Sequence, residues 1–154
     1  GLDTSFLESV DAVNEQAKDN FYRKIAKRAP GKKLAVWGLS FKPDTDDVRY
    51  APALYIIEKL LQKGFSITAY DPVAMENVKQ ALGNKIKYAS DPYEALKGAD
   101  ALCIFTEWNE FKEINLKRVK KELKKAVIFD GRNIYQPETV KKLGFTYFGV
   151  GRSL

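Results

Sequence analysis

Histidine is absent from the 154 residues, cysteine and methionine occur once each, and no apolar run approaches the length of a membrane span. Without histidine there is no Ser/His or Cys/His dyad, no histidine zinc ligand and no imidazole general base. The chain therefore does not read as a self-contained hydrolase or zinc enzyme. One cysteine forbids an internal disulfide and fits a reducing, cytoplasmic setting. No signal-peptide pattern is visible, and no membrane association is expected. Also missing is the glycine-rich G-x-G-x-x-G turn that normally follows the first strand of a dinucleotide-binding unit.

What is present reads as an ordinary globular chain, 45% apolar and 30% charged, with a net charge of +6 that favours anionic ligands. At this length a single core burying about two thirds of the unfolded surface is expected. From Thr4 to about Arg28, apolar residues fall at Phe6, Val10, Val13, Ala17, Phe21 and Ile25, the stripe of one long helix. Ser5 and Glu8 suggest a capping box at its start, and Pro30-Gly31 ends it. At 1.5 Å per residue it would run roughly 36 Å, more than the following domain needs on one face. Residues 1–30 are accordingly assigned to this helix, expected to continue from or pack against something outside the chain, and residues 31–154 to a domain.

Six short apolar runs follow, at 33–38, 65–70, 85–89, 100–105, 126–130 and 146–149. Helical patterns over 52–63, 73–82, 92–98, 109–124 and 136–143 separate most of them. In the first of these helices Leu54, Ile57, Leu60 and Leu61 share one side. This alternation predicts an α/β, Rossmann-like, doubly wound and mostly parallel six-stranded sheet preceded by a long α-helix. Ligands of such folds sit beyond the carboxyl ends of the strands, at the switch between the first and fourth.

The residues beyond those ends are charged. Gly38-Leu39-Ser40-Phe41-Lys42-Pro43-Asp44-Thr45-Asp46-Asp47-Val48-Arg49 follows the first strand, Tyr70-Asp71-Pro72 the second, Thr106-Glu107-Trp108 the fourth and Asp130-Gly131-Arg132-Asn133 the fifth. Lys42 and Arg132 are the leading pair for a diphosphate, a point charge and a planar fork converging from distant sequence. Equally open is a structural ion pair of each with Asp44 or Asp130. Phe41 can stack on a ring, although core packing is the commoner fate of an aromatic at a strand end. Arg49 sits just before a helix start, where a cation is unfavourable unless an anion faces it. Asp46 and Asp47 read as helix caps. Asp71 stands where a Rossmann domain keeps its ribose-binding acid, and is as readily a turn former. Cys103, inside an apolar strand, reads as core. The basic run Lys117–Lys125 invites a nucleic-acid reading, but Leu116, Val119 and Leu123 at helical spacing turn its lysines into a solvated face, so no nucleic-acid partner is expected.

The segment Gly38–Pro52 resembles the signature of the carboxy-terminal nucleotide-binding domain of the UDP-glucose 6-dehydrogenases. Tyr70-Asp71-Pro72-Val73-Ala74-Met75, Thr106-Glu107-Trp108-Asn109-Glu110-Phe111 and Asp130-Gly131-Arg132-Asn133 resemble further blocks of that family in the same order. The long helix, with Val13-Asn14-Glu15, resembles the end of its central interdomain helix. The first motif is shared with GDP-mannose and UDP-N-acetylmannosamine dehydrogenases; the Thr-Glu-Trp and Asp-Gly-Arg-Asn blocks lean toward UDP-glucose.

The resemblance implies oxidation of the sugar C6 hydroxyl to a carboxylate with two NAD, through a cysteine-bound thiohemiacetal and thioester. By motif match, Phe41 and Lys42 would contact the UDP-sugar and Arg132 its nucleotide. Arg49 would reach NAD held by an amino-terminal domain across the cleft, and the long helix would support a homodimer. That domain's glycine fingerprint, catalytic lysine and asparagine, and nucleophilic cysteine have no counterpart here, and Cys103 does not match the catalytic position. The chain alone is thus expected to bind UDP or UDP-glucose weakly and to turn over nothing. A free-standing UDP-sugar-binding module is the alternative.

Overall fold

The computed structural model describes residues 4–152. Its elements are α1 (Ser5–Arg28), β1 (Lys33–Trp37), α2 (Pro52–Gln62), β2 (Ser66–Tyr70), α3 (Met75–Leu82), β3 (Lys87–Tyr88), α4 (Pro92–Leu96), β4 (Ala101–Ile104), α5 (Asn109–Lys112), α6 (Leu116–Glu122), β5 (Val127–Asp130), α7 (Pro137–Lys142) and β6 (Thr146–Gly149). The strands form one six-stranded sheet in the order β3-β2-β1-β4-β5-β6, with every pairing parallel. This is the doubly wound order, and its switch lies between β1 and β4 as expected.

Alternation along β1 explains the two cores. Leu34 and Val36 face a layer built from α1, α2 and α3, joined by Ala101, Cys103 and Phe129. Ala35 and Trp37 face the opposite layer, with Leu102, Ile104, Phe111, Val119 and Ile128. Trp37 stacks on Phe111 at 5.1 Å and donates its indole N–H to the Pro92 carbonyl at 2.9 Å, so its one polar atom is satisfied in the core.

Several boundaries differ from the sequence reading. The expected helix over 109–124 is two helices, because the Asn115 side chain accepts from the N–H groups of Lys117 and Arg118 and starts α6 anew. The run at 85–89 yields only a two-residue strand after a 3-10 turn at Gly83–Lys85. Helix α2 buries Ala53, Ile56, Ile57 and Leu60, while Leu54 and Leu61 lie at the edge of that face. Helix α1 opens with Thr4 rather than Ser5 at the capping position, and Thr4 makes no side-chain cap.

The two halves of α1 meet different surroundings. Phe21, Tyr22 and Ile25 are buried against the sheet, and Asp19 joins Lys59 of α2 at 2.7 Å. Phe6, Leu7, Val10 and Val13 are exposed, from 41% to 74%. The apolar period persists past the edge of the domain that covers it.

Candidate functional site

At the carboxyl edge of the sheet, Asp71 is the hub. It is 1% exposed and accepts five hydrogen bonds. Oδ2 takes the N–H of Leu39 (2.7 Å), the N–H of Ser40 (3.1 Å) and the Trp108 indole N–H (3.2 Å), and Oδ1 takes the N–H groups of Val73 (2.9 Å) and Ala74 (2.8 Å). One carboxylate thus ties the loops after β1, β2 and β4 together. It forms the expected turn, but both oxygens are engaged and it offers no face to a ribose. The sequence signal for this hub was the acid at a strand end followed by proline.

The same bonds decide what the first loop can do. In a dinucleotide-binding turn the backbone N–H groups after β1 point at a pyrophosphate. Here those of Leu39 and Ser40 are occupied by a protein carboxylate. Gly38 (φ 87°) adds no cradle: a Cβ there would lie 2.6 Å from Thr106, whose hydroxyl donates to the Ser40 carbonyl at 2.7 Å. A dinucleotide pyrophosphate does not fit this loop in the ordinary Rossmann manner. The groups of this loop left free to face a ligand are side chains beyond Ser40.

Those side chains stand outward. Phe41 is 52% exposed, so the core-packing alternative is wrong; its N–H bonds to the Asp47 carbonyl, which turns the ring out of the sheet. Lys42 is exposed and forms no ion pair among the described residues, with Asp44 or any other acid. Asp46 and Asp47 do not cap α2, which starts at Pro52 with Ala51 before it. Instead Asp47 accepts from the Arg49 backbone N–H (2.9 Å), Nε (3.0 Å) and Nη2 (3.0 Å). Those hydrogen bonds hold the Asp47 carboxyl below its ordinary value and raise the Arg49 guanidinium. They also relieve the awkward position of Arg49 near a helix start.

Arg132 stands two residues beyond β5 and is paired with Glu107, not with Asp130: Nε lies 2.6 Å from Oε2 and Nη2 3.0 Å from Oε1. Burial disfavours the Glu107 carboxylate, but Arg132, the residue's own backbone N–H and Lys112 together outweigh it and keep the group below its ordinary value of 4.5. Asp130, fully buried, accepts from the Arg132 N–H, the Tyr135 N–H and the Tyr147 hydroxyl. Asn133 exchanges two hydrogen bonds of 2.9 Å with the Val150 backbone.

Among the described residues, the three non-glycine residues with positive φ are Asp44 (61°), Tyr50 (58°) and Asn133 (52°). All lie in these two loops, where left-handed backbone costs free energy and collects at functional sites. Tyr50, 92% exposed, went unremarked in the sequence. The β1 and β5 ends are separated by β4, roughly 10 Å at two strand spacings, so the loops that carry Lys42 and Arg132 leave the same edge of the sheet. An open groove of about 680 Å³ is lined by residues including Asp46, Asp47 and Arg49 of the first loop and Asn77 of α3.

Other candidates resolve as structure. Cys103 is buried in β4, and burial pushes its thiol far up, as expected of a core residue. In the basic run, Val119 and Leu123 are buried and the lysines exposed, with Lys120 and Lys125 bonded to main-chain carbonyls.

Residues 35–137 match the UDP binding domain of the UDP-glucose/GDP-mannose dehydrogenase family. A UDP-glucose 6-dehydrogenase of Rhizobium meliloti is 43% identical over 95% of this chain and 34% of its own length. One from Pseudomonas aeruginosa is 37% identical over 99% of this chain and 36% of its own. The chain thus spans about a third of the curated relatives it matches. Among solved structures, a UDP-glucose dehydrogenase from Pyrobaculum islandicum superposes with a TM-score of 0.79 at 28% identity, covering 95% of this chain and 32% of that one. Motif order, strand order and the matched span agree: the chain belongs to the UDP-glucose/GDP-mannose dehydrogenase family, whose UDP binding domain it contains.

Proposed function

We propose that this chain forms the nucleotide-sugar wall of an NAD-dependent UDP-glucose 6-dehydrogenase. The observation that carries the reading is the edge just described. Lys42 is exposed and forms no ion pair among the described residues, Phe41 is exposed, and Arg132 stands beyond β5, on the same edge of the sheet as the loop that carries them. Phe41 offers a ring face, Lys42 a mobile cation and Arg132 a planar fork, which together suit a ring, a diphosphate and their connecting sugar. The relatives named for UDP-glucose, at 37–43% identity, favour that sugar over GDP-mannose or UDP-N-acetylmannosamine. NAD supplies the hydride chemistry when bound; the loop after β1, its N–H groups taken by Asp71, supports a cofactor held chiefly by another domain, with Arg49 reaching toward it. Cys103, buried and protonated, supports a nucleophile elsewhere. The exposed half of α1 suits pairing with a second copy as well as packing on that domain, and the reaction is placed in the cytoplasm.

Thermal denaturation tests the binding reading. Millimolar UDP should raise the midpoint of the chain, since a ligand that binds only the folded state stabilises it by linkage. Lys42→Ala or Arg132→Ala should remove the rise. A midpoint indifferent to UDP sinks the reading, and NAD reduction by the chain alone with UDP-glucose would overturn the assignment of the chemistry to another domain.

A further inference from the structure

The guanidinium of Arg132 has five N–H donors on two usable edges, and the pairing with Glu107 uses only one of them. Nε and Nη2 face the carboxylate side-on, at 2.6 and 3.0 Å. The end-on edge, made by Nη1 and the second hydrogen of Nη2, is left, and among the described residues Nη1 of Arg132 donates to no acceptor. The arginine is at once neutralised and still able to grip a second anion.

The backbone beneath is fixed on both sides. Parallel pairing of β4 and β5 aligns Ile104 with Asp130, which brings Glu107 and Arg132 to adjoining strand ends. Gly131 donates its N–H to the Ile104 carbonyl at 2.8 Å, and a Cβ at this residue would sit 2.8 Å from that oxygen and 2.9 Å from the Phe21 ring. Asn133 is latched to Val150. What remains loose is the arginine side chain, and Glu107 is the group that orients it. Of the two side chains Glu107 is the more buried, 28% exposed against 44% for Arg132.

We propose that Glu107 is the positioning residue for nucleotide recognition: it grips Arg132 by the Nε edge and presents the Nη1/Nη2 edge to the diphosphate. The inference rests on the nucleotide-binding reading above. Asp47 holds Arg49 by the same edge, but from two residues away in the same exposed loop, so the long-range pair is the one that fixes a direction in space.

Charge and positioning predict opposite signs, which makes the proposal decidable. Removing a carboxylate near a bound anion should tighten binding if charge is all that matters. Losing the orientation should weaken it, because an unheld arginine must be immobilised again on binding. We expect Glu107→Ala to weaken UDP binding about three- to tenfold in calorimetry or NMR titration, Glu107→Gln less, and uridine binding to be unaffected by either. In an Arg132→Ala background, Glu107→Ala should add nothing. The Arg132 Nε–H resonance should be visible in wild type and persist when UDP saturates the site.

UDP binding to Glu107→Ala as tightly as to wild type, or tighter, overturns the proposal. So does loss of the Nε–H signal on UDP saturation, which would make Glu107 a competitor that the ligand displaces. Should Glu107→Ala not fold, Glu107→Gln and the Nε–H signal carry the test. A wild-type chain that binds uridine and UDP alike, or neither, removes the nucleotide reading and this proposal with it.

Discussion

The loops after β1 and after β5 stand on the same kind of root and are braced in different ways. Each is tied at its base to a buried aspartate that gathers backbone N–H groups, Asp71 reaching across from the end of β2 to the β1 loop and Asp130 closing β5 itself. Each carries an arginine gripped by a carboxylate and at least one non-glycine residue with left-handed backbone. Beyond the root, the β5 loop is held by partners distant in sequence: Glu107, Val150 and, through Asp130, Tyr147. The hydrogen bonds of the β1 loop past Ser40 are mostly its own: Asp47 serves Phe41 and Arg49, Thr45 serves Asp47, and Asn77 reaches in from α3, while Val48 packs on the core. On the binding reading proposed above, one wall would be fixed before a ligand arrives and the other would adjust its aromatic and its lysine on arrival. Binding energy at the fixed wall would then go into contact, and at the yielding wall partly into ordering.

The largest break in this comparison is at the root of the yielding loop. Asp71→Ala strands five donors, three of them in the loops that flank the switch, and should cost about 3–5 kcal/mol. A thermal midpoint lower by roughly 10 °C or more is expected for a domain of this size. A midpoint within a degree or two of wild type would show that water replaces the carboxylate, and that the loops are not tied through it.

Tyr147→Phe probes the fixed loop more gently. It removes the 2.7 Å hydrogen bond to Asp130 while leaving the Tyr135 N–H in place. A loss of about 1–2 kcal/mol is expected. Weaker protection by UDP should accompany it, because Arg132 rides on the same aspartate; unchanged protection would show that Arg132 is oriented by Glu107 alone.

The smallest effect is in acid. Glu107 and Asp47 are both held below their ordinary values of 4.5 and 3.8. A lowered folded-state value contributes stability that is complete above the ordinary value and lost as pH falls through the folded one. Denaturant midpoints measured between about pH 6 and pH 3 should therefore fall, and the difference between wild type and Glu107→Gln should shrink toward the acid end. Asp47→Asn should change that profile less, since its pair is solvated and screened. Equal changes would erase the distinction between a long-range brace and a local one.

Much of this was legible in the sequence, for reasons that separate clearly. Strand order followed from β-α alternation, because right-handed crossovers leave few ways to arrange six parallel strands. The place of the candidate site was an expectation drawn from that order, with Lys42 and Arg132 standing out as cations beyond strand ends and Arg49 as one before a helix start. What could not be read were pairings between side chains from different strand ends. Nothing local says that Glu107 rather than Asp130 takes Arg132, because that depends on register between β4 and β5. Asp71 stayed open between a ribose acid and a turn former for the same reason: its five donors come from loops far apart in sequence. The break at Asn115 was missed because apolar spacing continued through it while one side chain ended the hydrogen-bond ladder.

Cys103 lies in β4, paired with Val36 on one side and Phe129 on the other, beneath the layer of α1 and α2. A strand side chain projects out of the sheet, so this sulfur is reached through the helical layer above it and not by fraying of either loop. Lifting of α1 and α2 from the sheet is what lets a reagent through. The chain's one thiol is therefore a tamper seal on its core: still unmodified, it certifies that the helices have not parted from the strands beneath them.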